Sequence, residues 1–171
     1  ERWYSLMPPD QYQALKARVD LEFLPTNAEL IGVPDPVTLA VAVKNVDSLI
    51  VKVYYLNTLN YYLANGSAIS TAIDLDGLVA NEEKTLTYEL PPLRRHVERL
   101  TFEKLTKPGV YVIELIGNGR SSRALVRKGR LFFHERIGSA GHVLTVYRGD
   151  NERVKDARLW LQGREFKADE E

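Results

Sequence analysis

The chain contains no cysteine. That absence removes disulfides, thiolate nucleophiles and cysteine-ligated zinc or iron–sulfur centres together. It also lacks an excess of either charge, because 23 Lys and Arg balance 23 Asp and Glu. A neutral chain sets up no global field to draw in nucleic acid or an acidic membrane surface, so no nucleic-acid partner is expected. No run of about 18 apolar residues is present, so no membrane-spanning helix is expected. Neither a G-x-S-x-G elbow, a G-x-G-x-x-G loop nor a P-loop occurs, and Gly117-Asn118-Gly119 reads as a hairpin turn. The histidines are His96, His134 and His142, and none has a second histidine at zinc-ligand spacing. No cofactor, no metal and no catalysis are therefore expected.

What is present is strand grammar. The 171 residues are 44% hydrophobic and 27% charged, the balance of an ordinary folded protein. The clearest signal is Gly109 to Lys128. Val110, Val112, Glu114 and Ile116 point one way, while Tyr111, Ile113 and Leu115 point the other, the period of two that a strand requires. Asn118-Gly119 tolerates the positive φ of a type I′ connection, and Ser122 to Arg127 runs back.

Strands are also predicted at Val19–Phe23, Val37–Val43, Leu49–Leu56, Thr85–Leu90 and Glu98–Leu105. With the hairpin they make seven. Residues 1–17 form a lead-in segment with one helical turn capped by Asp10. From Asn57 to Lys84 the alternation breaks, leaving Tyr61-Tyr62 in a loop and a short helix or irregular excursion over Ser70–Ala80. Since Tyr54 and Tyr55 are adjacent on a strand, one of them must face away from the core. Gly129 to Glu171 starts afresh, with strands at Arg130–Arg136, His142–Arg148 and Asp156–Phe166. His134 and His142 flank one turn, where they either face each other across that hairpin or stand as half-buried or surface strand histidines. The fold class is all-β: a seven-stranded antiparallel β-sandwich over residues 18–128, followed over residues 129–171 by the first strands of a second, incomplete β domain. The start, Glu1-Arg2-Trp3-Tyr4, has no initiator methionine, and a processed product or excised piece is expected.

Candidate binding residues are weighed against plainer readings. Asp74-Leu75-Asp76-Gly77 imitates the front of a calcium loop, but its twelfth position is Thr85, so a solvated turn is expected. Arg94-Arg95-His96 and the run Arg120 to Arg130 read as solvated strand faces, or as a docking site for an acidic partner, a lipid headgroup or a polysaccharide. Trp3, Tyr4, Tyr61 and Tyr62 supply flat aromatic area at low entropy cost. The candidate interface is thus Trp3, Tyr4, Tyr61, Tyr62, Arg94 and Arg95. Asn65-Gly66-Ser67 is a glycosylation sequon in a secretory setting and otherwise a turn.

The order Pro108-Gly109-Val110-Tyr111-Val112-Ile113-Glu114-Leu115, a glycine turn, Arg123-Ala124-Leu125-Val126, then Val143–Tyr147 and Val154–Leu159, resembles the joint between successive macroglobulin domains of bacterial alpha-macroglobulin-like proteins. The resemblance covers about residues 37–166, and Asp74–Leu78 also resembles a segment of such first domains. It implies an exported protein, periplasmic or on the cell surface, of protease-inhibitor type. Neighbouring domains of the same polypeptide would be the partners here, with proteases engaged through the parent protein. The family's Cys-Gly-Glu-Gln thioester element is missing, and no bait region is recognisable, so this chain would serve as scaffold. The rival expectation is a carbohydrate- or cell-surface-binding β-sandwich module.

Overall fold

A computed structural model describes residues 6–139 and 141–169. In chain order the elements are α1 (Pro9–Ala17), β1 (Asp20–Phe23), β2 (Leu30–Ile31), β3 (Val37–Lys44), β4 (Ser48–Leu56), α2 (Thr58–Asn65), β5 (Glu82–Thr87) and β6 (His96–Phe102). There follow β7 (Gly109–Gly117), β8 (Arg120–Lys128), β9 (Leu131–Gly138), β10 (Gly141–Arg148), β11 (Arg158–Leu161) and β12 (Arg164–Lys167). A five-stranded sheet, β2-β8-β7-β4-β5, packs over a three-stranded sheet, β1-β3-β6. The all-β sandwich expected from the sequence is what forms.

The β7–β8 hairpin behaves as its residues dictate. Asn118 and Gly119 take φ 43° and 69°, the positive pair of a type I′ turn, and Gly117 lies opposite Arg120. The odd-numbered residues of β7, Tyr111, Ile113 and Leu115, enter the core between the sheets. There they meet Leu49, Val51 and Val53 of β4, Val41 and Val43 of β3, and Leu100 and Phe102 of β6. Each such side chain contributes about 1.5–3 kcal/mol by leaving water.

The even-numbered face of the same sheet is also covered. Tyr54, Val110 and Val112 pack against Ile69, Ile73 and Leu75, so the excursion after β4 forms a third layer with its own apolar cluster. Tyr54 is 5% exposed and Tyr55 51%, which resolves the tyrosine pair as the alternation required.

Several local expectations are corrected. The single turn near the N-terminus is the nine-residue helix α1, and Pro8, not Asp10, holds the N-cap position without a side-chain bond. Asp10 lies in the first turn, where the helix dipole favours an acid. Tyr61 and Tyr62 sit in α2 and not in a loop: the Asn57 side chain accepts from the Asn60 N–H at 2.9 Å and starts that helix. Of the two alternatives weighed over Ser70–Ala80, the irregular excursion forms. That segment closes through turns, with Ile73 N–H donating to Ser70 O and Leu78 N–H to Leu75 O. An eighth strand, β2, joins the first seven and runs parallel to β8, with Leu30 opposite Arg127. Two residues are too few to show alternation.

Residues 131–167 form two hairpins, β9–β10 and β11–β12, whose ladders are separate from the two larger sheets. The single strand expected over Asp156–Phe166 is split by a two-residue turn, Gln162 and Gly163, with φ 49° and 79°. His134 and His142 do not face each other: His134 lies opposite Thr145, and His142 opposite Ile137.

Candidate interaction surfaces

The described residues of the expected interface fall on separate parts of the chain, Tyr61 and Tyr62 in α2 and Arg94 and Arg95 between β5 and β6. Trp3 and Tyr4 lie outside the described residues. Tyr61 packs half-buried against the outer cluster of the five-stranded sheet, leaving Tyr62, 48% exposed, as the outward tyrosine of α2. Arg94 sits in the turn closed by its N–H donating to Pro91 O at 2.8 Å. Arg95 is engaged internally, its Nη2 donating to Glu22 Oε1 at 2.7 Å with Asp20 Oδ2 3.6 Å from Nε. Among the described residues no hydrogen bond, ion pair or ring contact joins Tyr61 or Tyr62 to Arg94 or Arg95.

Basic residues act mainly as internal fasteners. Arg123 pairs with Glu114 at 2.7 Å, and its Nη1 donates to Ile73 O at 2.8 Å. Glu114 is 7% exposed, so this pair sits where a lone carboxylate would be costly. Arg127 donates to Glu29 at 2.8 Å and to Ile69 O at 3.2 Å. These two arginines of β8 hold the excursion against the sheet by its backbone carbonyls. Lys44, 2% exposed, donates from Nζ to Leu15 O at 2.7 Å and Arg18 O at 2.6 Å, satisfying carbonyls at the end of α1. Burial pushes its ammonium below the ordinary lysine range, and the nearby Asp20 partly offsets that. Lys128, 4% exposed, donates to Asp35 O at 2.5 Å.

The phenol of Tyr88 donates to the Glu98 carboxylate, joining the chain after β5 to β6. Burial first, then that hydrogen bond and the Glu98 charge, raise its pKa. Burial also raises Tyr54, helped by the Glu114 charge, and Tyr111.

Asp74 Oδ1 accepts from Asp76 N–H at 2.9 Å, an Asx turn that carries the buried Leu75 into the outer cluster. Among the described residues no three acidic or histidine side chains converge to hold a metal ion. An open groove of about 540 Å³, lined by Leu15, Arg18, Val19 and Arg120 among others, runs beside α1. A deep polar cavity of the kind that small-molecule chemistry uses has a different form.

One surface escaped the sequence reading. Leu131, Phe133 and Ile137 of β9 are 66%, 61% and 76% exposed. On the other face of that hairpin the Phe132 and Tyr147 rings stack at 5.5 Å, with His134 edge-on to both. The sequence marked Arg130–Arg136 as a strand, but only the structure shows that this face is open.

Residues 49–129 match the family model for the first immunoglobulin-like domain of AbpF. The matched stretch runs from β4 through β8. Over its whole length the chain is 36% identical to a Dictyostelium discoideum protein named Actin-binding protein F, of which it spans only 7%. Among solved structures, the MG0-NIE-MG1 portion of Escherichia coli alpha-2-macroglobulin aligns with 90% of the chain and 55% of that structure's chain. The TM-score is 0.54 and the sequence identity 13%, a likeness of fold. The fold is thus that of a macroglobulin-like β-sandwich domain, and the immunoglobulin-like family model and the much longer relative are what the chain resembles in sequence. Such domains are generally non-catalytic. Among the described residues no helix is long and apolar enough to cross a membrane.

Proposed function

We propose that the chain is a non-catalytic immunoglobulin-like module of a longer polypeptide and acts as scaffold by docking neighbouring modules. The supporting observation is the alignment of the entire chain with a small part of a much longer relative. In this reading residues 18–128 form one sandwich, led in by residues 1–17, and residues 129–171 open a second. The strands of that last stretch form ladders separate from the two larger sheets, consistent with a second unit. Limited proteolysis read by mass spectrometry tests it. Cleavage between Lys128 and Arg136 that leaves a stable N-terminal fragment is expected, and uniform resistance along the chain contradicts it.

The macroglobulin likeness supports a finer version, an exported alpha-macroglobulin-like parent of protease-inhibitor type whose proteases are met elsewhere in the polypeptide. A second reading rests on the closer sequence similarity: a binding module whose target is actin, in place of the carbohydrate or cell-surface ligand weighed from the sequence. Co-sedimentation separates the two. A chain that pellets with actin filaments in saturable fashion supports the second reading, and one that stays in the supernatant supports the scaffold.

A further inference from the structure

We propose that the outer edge of β9 is a homotypic docking edge, pairing antiparallel with β9 of a second copy of this chain, so that His134 lies opposite the partner's His134.

The eight-residue strand β9 has β10 on one side and, among the described residues, no strand on the other. The outer side of β10 is already used: Val154 N–H donates to Val146 O at 2.8 Å and Arg148 N–H to Glu152 O at 2.9 Å. Backbone groups of successive strand residues point to opposite sides, so β10 bonds β9 through Val143, Thr145 and Tyr147. The free N–H and C=O groups of β9 therefore belong to Leu131, Phe133, Glu135 and Ile137. Three of these carry the exposed apolar side chains. An open edge with apolar side chains is a template for another strand.

The other edges are guarded. β5 presents Glu82, Glu83 and Lys84, and β12 presents Arg164, Glu165 and Lys167. β1, β2 and β11 have four, two and four residues. Over the β6 edge, Tyr88 bonds Glu98 and Lys84 lies 5.0 Å from the Phe102 ring centre.

The sequence of β9 chooses the second copy and the register. Centring the two-fold axis on Glu135 or Arg136 sets like charges directly opposite, which destabilises a ladder. Centring it on Phe133 leaves Ile137 without a partner residue in the strand. Centring it on His134 puts Leu131 against the partner's Ile137 on one face and Phe132 against the partner's Arg136 on the other, an apolar pair and a cation–π pair. Phe133 then lies beside the partner's Glu135, whose carboxylate is held by its own His142, as Glu135 Oε1 is by His142 Nδ1 at 2.6 Å. Since the free backbone groups sit on odd-numbered residues, His134 forms a non-hydrogen-bonded pair with Cα atoms about 4.5 Å apart. That spacing lies within the range a disulfide spans, about 4.4–6.8 Å.

The absence of cysteine makes the test clean. Under mild oxidation, His134→Cys is expected to form a linked dimer at least about tenfold faster than Thr145→Cys, one strand away from the axis, because only the former places its sulfurs in contact. Sedimentation equilibrium of the unmodified chain should show dimers at about 100 μM, and Ile137→Lys should leave monomers with the circular dichroism of the large sheets intact. A chain that stays monomeric at that concentration overturns the proposal and assigns the edge to a different occupant. Equal crosslinking of His134→Cys and Thr145→Cys overturns the register and with it the homotypic edge.

Discussion

Ile113 and Ile137 sit on antiparallel ladders of similar length, yet one is wholly enclosed and the other 76% exposed. Both hairpins pair strands that are neighbours in sequence. Burial needs a third party: for Ile113 it is the three-stranded sheet, and among the described residues Ile137 has no such cover. A hairpin is a local decision, whereas a core is a decision among distant segments.

The comparison predicts a graded set of losses. Ile113→Ala should cost about 4 kcal/mol in urea unfolding, the transfer loss plus an unrelaxed cavity, while Ile137→Ala should cost less than about 0.5 kcal/mol. Equal effects would break the contrast. Arg123→Ala comes next, at about 3 kcal/mol, because Glu114 would be left buried without its partner. Hydrogen exchange should then quicken over residues 66–80 and stay unchanged over residues 131–148.

Lys44→Met should cost about 2 kcal/mol, releasing the Leu15 and Arg18 carbonyls and speeding amide exchange in α1 while the sheets keep their protection. The smallest effect is Tyr88→Phe, about 1 kcal/mol at neutral pH. Its diagnostic is alkaline. A phenol whose folded pKa is raised contributes stability that is whole below the unfolded value of about 10 and lost as pH rises beyond it. The midpoint of thermal unfolding should therefore fall above about pH 10 in the native chain and fall less steeply in Tyr88→Phe. Parallel curves for the two proteins would remove Tyr88 from that account.

Much of the larger region was legible because its signals are short-range. Asn118-Gly119 fixed its turn, and alternation in Val37–Val43 and Gly109–Leu115 marked strands with the correct faces. The excursion was not legible. Ile69, Ile73 and Leu75 follow neither a helical nor a strand period, because their positions answer to Val110, Val112 and Tyr54 on a sheet built partly from later sequence. The cap at Asn57 was a usable signal for α2, masked by the aromatic and polar residues that follow. The surroundings of the candidate interface residues were not legible for a related reason. Exposure of an arginine cannot be read from its neighbours in sequence when Arg95 finds Glu22 and Arg123 finds Glu114. For Asp156–Phe166, Gln162 is a weak turn former, so the turn at Gln162 and Gly163 was not separated from the strand.

The pinning of residues 57–81 by Arg123 and Arg127 also has a direction in time. A ribosome releases the excursion well before either arginine, and before most of the surface on which Ile69 and Ile73 come to rest. Until β8 emerges, that segment is a loose greasy strand-to-strand connection, open to proteases and chaperones. Synthesis of the β7–β8 hairpin is what ends its vulnerability.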